Sequence, residues 1–469
     1  MSTRTLPVEE RDGGVTVALT PDQALRATGD HPALVREPLA RLVTRVALPA
    51  VASNLLMTTF LSADAYWIGR RLGSTALAAV TAAVFWVWMA ISLAEMVSVG
   101  LTAVAARRHG ERRGGAAART AGDAIVLALA LGAVVAVLGR WRAGALLTLM
   151  NAPPDVAALG GRYLGVYALA APLLYAYFAV DAAFRASGDT RTPLLVLLGS
   201  VAVGLVLDPL LIGGGLGLPA LGIAGAAAAT TATRAGACVV GLVLLRRRGL
   251  VEFGRPDPRT LATVARVGLP TAATGILFSV IYVVVGRQAS SLGVAALAAL
   301  GLGFRVESWL YMLGVGFGAA AAAVVGQNMG AGRVDRAARL GWAMLGVASV
   351  PALVAAAANL FAPELLAGAF TGDAAVVAET ARYLRIAAVS QLVVCAETVL
   401  EGALGGAGAT VAPMVASTTL TAARVPLAAW ATPRFGAAGL WWTIAVTATG
   451  RGLAMMGLWA AGGWKQNKV

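Results

Sequence analysis

Charge is scarce in this chain of 469 residues: Asp, Glu, Lys and Arg together make up 13% of it, about half the share of an ordinary soluble domain. A soluble enzyme of this length needs more polar surface than that, so the class is excluded. Histidine is nearly absent. His31 and His109 both fall outside the apolar stretches, and no metal-ligand or nucleophile-base spacing appears within those stretches, so no enzymatic activity is expected. The two cysteines, Cys238 and Cys395, lie inside apolar stretches and show neither metal spacing nor a disulfide pattern, so they read as small core hydrophobes. Residues 1–40 lack any continuous apolar run that would serve as a signal peptide. The net charge of +14 comes from arginines scattered through short loops, without the aromatic-basic stripe of a nucleic-acid binder, so no nucleic-acid partner is expected.

What is present is hydrophobicity: 58% of the residues are apolar, and the mean hydropathy is +0.77. The apolar runs are about twenty residues or longer, the length of a membrane-crossing helix rather than of a barrel strand. Helices also satisfy every backbone polar group within the segment, as hydrocarbon requires. The fold class is therefore an all-α polytopic membrane protein. Twelve spans are predicted, at 42–68, 75–104, 121–139, 162–185, 193–213, 221–246, 263–289, 294–325, 338–361, 383–405, 411–431 and 436–460. They are numbered 1 to 12 below.

With the N-terminus inside, the inner loops carry sixteen arginines against nine in the outer loops, and the tail adds five more on the inner side. That bias places both termini in the cytoplasm. The expected organisation is a flexible cytoplasmic tail (1–40), an N-terminal six-helix lobe (41–247), a cytoplasmic linker (248–262), a C-terminal six-helix lobe (263–462) and a short tail (463–469).

The halves repeat. RVALP at 45–49 returns as RVGLP at 266–270, LGSTALAA at 72–79 as LGVAALAA at 292–299, and DPLL at 208–211 as VPLA at 425–428. Thr230 and Arg234 return as Thr447 and Arg451. Six spans make one copy, and six is even, so the copies share an orientation and are related by a pseudo-twofold along the membrane normal.

Repetition is an internal control, because a residue common to both copies reads as architecture. Asp64 maps near Val284 or Val285 and Asp208 onto Val425, so both acids belong to the first half alone. A carboxylate at membrane depth costs roughly 2.5 to 3.5 kcal/mol on insertion scales and calls for a partner, a cavity or a function. Each acid lies about five residues, or ~8 Å, from the outer end of its span, so the two are expected to meet and to form a proton site. With neutral oxygens such as Thr230 added, the same place suits Na⁺. The competing reading is a simple ion pair with an arginine such as Arg234. Pro49 bends span 1 as a candidate hinge, although Pro270 repeats it. In the second half, Glu307 and Glu397 face Val87 and Tyr177 at the corresponding places and, with Arg424, are candidates for the substrate cavity. Asn54, Phe60, Tyr163, Tyr175 and Trp309 complete the cavity candidates, the aromatics as stacking surfaces for flat or cationic solutes.

Over residues 40–460 the chain resembles the multidrug and toxic compound extrusion (MATE) transporters. SADAYWIGRRLGSTALAAV, LDPLLI with GIAGAAAAT, RVGLP and VVGQNMGAG at 324–332 carry the likeness, which is greatest to the prokaryotic branch named for DNA-damage-inducible protein F. The resemblance implies a V of two six-helix lobes, an ion-driven antiport cycle without a bound cofactor, and export of amphipathic, often cationic compounds. It assigns the cation or proton site to Asp64 and Asp208 with Thr230, and the bending proline to Pro49. It also implies a multi-pass protein of the bacterial plasma (inner) membrane, here expected to act as a monomer on small amphipathic substrates. One departure concerns the ion. Gly204 stands where the family commonly has an asparagine one turn before the span 5 aspartate, and span 7 has no acid, so coupling is expected through the N-terminal lobe with H⁺ favoured over Na⁺. The remaining readings are a Na⁺-coupled drug exporter and a lipid-linked glycan flippase of the same superfamily.

Overall fold

The computed structural model describes residues 33–148, 154–215, 217, 219–370 and 373–467. Most of the expected tail, residues 1–32, lies outside the described residues. Nine helices among those described are long and apolar enough to cross a membrane, and a tenth span is the bent pair Pro154–Leu169 and Ala171–Ser187. The pair meets at 54°, where Pro172 cannot donate the backbone hydrogen bond that would continue the first helix.

Spans 1 and 2 fall within one element, Leu48–Gly110. Straight, its 63 residues would reach about 95 Å. Yet Val51 lies against Gly316 and Ala106 against Gly326, positions only ten residues apart on span 8, so the element folds back on itself. The sequence reading puts a loop at 69–74 for the same reversal. Spans 11 and 12 likewise share Val411–Ala461, interrupted at Gly436, where φ is 58°. The nine already count the first folded element as two, and Val411–Ala461 adds two more to the ten, so the predicted twelve are accounted for.

Interiors are built from small residues. The first half packs around Ala105, Ala121, Ala179 and Ala183; the second around Ala320, Ala323, Ala348, Ala396 and Ala403. Small side chains let helix backbones approach closely, and in lipid that dispersion contact replaces the hydrophobic drive. The halves meet in the same manner. At Gly268 a Cβ would stand 1.7 Å from the Met96 carbonyl oxygen, and at Gly330 it would stand 1.9 Å from that of Arg107. No residue but glycine fits either place without separating spans 2 and 7, or 2 and 8.

The arginine-rich end is tied down by hydrogen bonds. Thr190 Oγ1 donates to the carbonyls of Arg45 (3.1 Å) and Val46 (2.8 Å). The Arg45 carbonyl is the one that Pro49, four residues on, has no N–H to satisfy, and the chain just before it widens into a π-helical turn, Val43–Ala47. Residues 33–40, assigned to the flexible tail by the sequence reading, are instead packed here. Leu34 and Val35 are buried, Asn328 Nδ2 donates to the Leu34 carbonyl at 3.3 Å, and Arg333 Nη1 donates to that of Val35 at 3.2 Å. The linker is also docked, with Glu252 N–H donating to Ala118 O at 3.0 Å.

Asp189, in the turn before span 5, accepts from the backbone N–H groups of Arg191 and Thr192, both at 3.0 Å. It also accepts from the Thr192 hydroxyl at 2.6 Å and pairs with Arg248. Burial pulls its carboxyl upward, but the Thr192 hydrogen bonds and the Arg248 charge outweigh it and hold the group below the usual carboxylate range. A depressed carboxyl contributes stability above its unfolded value, near 4, and loses it as the pH falls through the folded one. Asp189→Ala should lower thermal stability at pH 7 by about 1 kcal/mol, the worth of a helix cap. The difference from wild type should shrink as unfolding is followed below about pH 4.

Candidate functional site

Span 1 and span 5 run side by side, and two contacts set their register. The Phe60 ring lies over Gly204, where an added Cβ would sit 2.7 Å from Cε2. Further along, Arg71 Nη1 donates to the Pro209 carbonyl oxygen at 3.2 Å and abuts Gly213. Asp64 is one turn beyond Phe60 and Asp208 one turn beyond Gly204, so the two acids stand at one level between these contacts.

Both are inside the protein: Asp208 is 0% exposed and Asp64 5%. Among the described residues, neither carboxyl oxygen of Asp208 has a hydrogen-bond partner, nor does Oδ1 of Asp64. Their charges lie within reach of one another and of the Tyr163 hydroxyl. A buried carboxyl without donors is stable only when it carries a proton or when a cation sits on it.

Thr230 is buried on span 6. The contacts of Gly225 with Leu211 and of Ser200 Oγ with Thr233 O (3.1 Å) put it roughly level with Gly204, one turn from Asp208. Arg234, a further turn away, joins neither acid in an ion pair among the described residues. Instead its guanidinium rests on the rings of Phe60 (5.7 Å) and Tyr177 (5.4 Å) and points at Met57 Sδ and the Tyr177 hydroxyl. In the second half the equivalent Arg451 does have a carboxylate, Glu397 Oε1 at 3.1 Å. Arg451 also lies 5.5 Å from the Phe278 ring; Tyr177 takes the carboxylate's place in the first half, so Arg234 has aromatic contacts without that ion pair.

The site and the repeat around it point to one group of known proteins. The sequence profile of the MatE family matches residues 49–210 and 270–430, once in each half and over more than half of the chain. The chain belongs to the MatE (MATE) family. Among curated relatives, it is similar to the probable multidrug resistance protein NorM of Deinococcus radiodurans, 30% identical over 89% of this chain and 94% of that one. A second is the probable multidrug resistance protein YoeA of Bacillus subtilis, 29% identical; that match spans 62% of this chain and 64% of the relative, just under two thirds of its length. In fold it is similar to the bent form of the Vibrio cholerae MATE transporter VcmN, with a TM-score of 0.78 at 21% identity over 90% of this chain and 96% of that one. Members of the family are multi-pass membrane transporters rather than enzymes, driven by ion gradients without bound cofactors, and twelve helices in a V is their architecture.

In this MATE protein the other sequence candidates fall in several environments. Pro49 opens the folded-back helix and is compensated by Thr190, as described above. Asn54 spends its amide on its own helix, Nδ2 donating to Ala50 O at 3.0 Å. Phe60 is 1% exposed and packs with Leu197 and Val201, so it borders no open space here. Tyr163 stacks on Tyr167 at 6.3 Å. Tyr175 donates to the Ala90 carbonyl and lines, with Trp86, Tyr167 and Phe178, an apolar cavity of about 100 Å³ beside the bend in span 4. Trp309 is exposed.

Glu307 accepts from the Tyr383 hydroxyl (2.6 Å) and from Gln391 Nε2 (2.7 Å). Arg424 is wholly buried, with Nε on Thr447 Oγ1 at 3.0 Å. The sequence reading passes over Glu95, on span 2, whose charge reaches Glu401 and Tyr311 of the second half. The signal was available: Glu95 maps onto Val315 or Gly316, so it breaks the repeat as Asp64 does. Among the described residues no three His, Cys, Asp or Glu side chains gather as a metal site.

Proposed function

We propose that this protein is a proton-driven exporter of amphipathic, often cationic drugs or toxic compounds, working by alternating access between an N-terminal lobe (41–247) and a C-terminal lobe (263–462). The observation that carries the reading is the pair of buried carboxyls, Asp64 and Asp208, three of whose four oxygens lack a hydrogen-bond partner among the described residues. Protonation neutralises both without needing any further ligand. Sodium needs several oxygens at once, and here a phenyl ring, Phe60, lies over the glycine one turn from Asp208, leaving Thr230 and the Tyr163 hydroxyl as the neutral candidates among the described residues. The multidrug resistance names of the relatives support a drug cargo.

In the proposed cycle, drug bound from the cytoplasm is released when protons from outside neutralise the acid pair. Loss of that charge lets span 1 repack around Pro49 and its Thr190 tie, and deprotonation toward the cytoplasm resets the protein. The arginine-rich end is assigned to the cytoplasm of a bacterial inner membrane, and the protein is taken to act as a monomer.

Efflux of a fluorescent lipophilic cation from everted vesicles tests this, with a pH gradient and a Na⁺ gradient imposed separately. Transport with the pH gradient alone is the expected result. Transport that runs only with Na⁺ overturns the proton assignment, and none under either gradient favours the lipid-linked glycan flippase reading.

A further inference from the structure

The second half carries a cationic counterpart of the acid site. At the repeat position of Leu207, beside that of Asp208, stands Arg424, and at the position of Thr230 stands Thr447, to whose hydroxyl Arg424 Nε donates at 3.0 Å. That hydroxyl has its own acceptors in the carbonyls of Thr443 (2.8 Å) and Ile444 (3.0 Å), so its orientation is set. The guanidinium also lies 5.2 Å from the ring of Tyr282. Its plane is therefore fixed on two sides.

Its fork is not engaged. Among the described residues Nη1 and Nη2 have no acceptor; both are buried, and the residue is 0% exposed. Two acids lie within reach of its charge but neither hydrogen-bonds the fork: Glu307 accepts from Tyr383 and Gln391, and Glu397 pairs through Oε1 with Arg451, its Oε2 having no partner among the described residues. Architecture does not require the charge, since Leu207 occupies the same place in the first half. A planar fork with two parallel free N–H directions matches a carboxylate, which it would bind bidentately. Beside it, Tyr282 sits 4.3 Å from Phe278 and 4.6 Å from Phe304, a pile of three rings that are only half-buried and so open on one side. Such a pile offers stacking area to an aromatic body.

We propose that Arg424 is an anion-binding residue which takes the carboxylate of an aromatic acid on Nη1 and Nη2, with the ligand's ring against the Phe278, Tyr282 and Phe304 pile. The two lobes then have opposite polarity: acids that hold a proton in the first, and a base that holds a substrate anion in the second. This deepens the exporter reading, on which it rests for the fate of the bound acid, by adding aromatic carboxylates to the cargo.

Equilibrium dialysis of the purified full-length protein with radiolabelled 2-naphthoate, and with its methyl ester as the neutral control, tests the proposal without any ion gradient. Wild type should prefer the acid by at least about ten-fold. Arg424→Gln should abolish that preference while leaving ester binding within about two-fold, and Arg424→Lys, with the charge but no fork, should fall between. If Arg424→Gln fails to elute as a monodisperse species, Thr447→Val, which releases Nε and so loosens the orientation of the fork without removing it, should still weaken the acid selectively. Equal binding of acid and ester by wild type, or an unchanged preference in the variants, overturns the proposal. Displacement of naphthoate by an equal concentration of chloride overturns the ligand class. Because Asp64 and Asp208 play no part in this assay, either proposal can fail while the other stands.

Discussion

Asp208→Asn is expected to reduce pH-gradient-driven export below about a tenth of the wild-type rate while the protein stays folded. Asparagine keeps the volume of the aspartate inside span 5, so the packing around it is preserved, but it can neither take nor release a proton. Wild type already buries this carboxyl with no hydrogen-bond partner on either oxygen among the described residues. Replacing an ionisable group there with a neutral one removes a desolvation cost and breaks no described contact, so the melting temperature should be unchanged or higher. Asp64→Asn should lose export in the same way. Because the two charges act on one another, the double variant should transport no worse than either single one, the non-additivity expected of residues that work as a unit. Vesicle efflux alongside thermal unfolding of the purified variants checks both halves of the expectation. Full export by both single variants would remove the acid pair from the mechanism.

Gly204→Asn carries the second large effect, and it acts through packing first. The added Cβ meets Phe60 Cε2 at 2.7 Å and Cζ at 3.1 Å, and the ring has little room to turn. Leu197 and Val201 pack against it, and Arg234 rests on its face at 5.7 Å. Overpacking of this kind costs about 1 to 3 kcal/mol. Phe60→Ala alone should be worse, about 3 to 5 kcal/mol, through the void it leaves under Arg234. Combined, the two changes offset one another in volume, so the double variant should melt above Phe60→Ala. The double variant also places an amide oxygen one turn from Asp208, and its export should become responsive to a Na⁺ gradient that leaves wild type indifferent. A Gly204→Asn protein as stable as wild type would contradict the packing account. A double variant blind to Na⁺ would contradict the view that a missing oxygen sets the ion.

Membrane class, helix number, the repeat and the acids that break it were legible in the amino-acid order, because insertion into hydrocarbon constrains composition over about twenty residues at a time. Depth along a span follows from counting, so Asp64 and Asp208 could be set at one level before any contact was known. Glu95 is equally legible by the same comparison of halves, since it maps onto Val315 or Gly316. Neighbourhood was not legible. That Phe60 occupies the space over Gly204, that Thr190 satisfies the carbonyl freed by Pro49, and that residues 33–40 lie packed across the arginine-rich end all depend on helix rotation and register. Those are settled by side-chain packing between segments far apart in the chain. Arg234 and Arg424 show the limit most plainly. As letters, Arg234 was a potential partner for a buried acid and Arg424 a candidate cavity residue. Only the tertiary structure decided that one rests on aromatic faces and the other ends in an empty fork, because a charge is paired or left free by distances of a few ångströms between helices, and no local pattern encodes those distances.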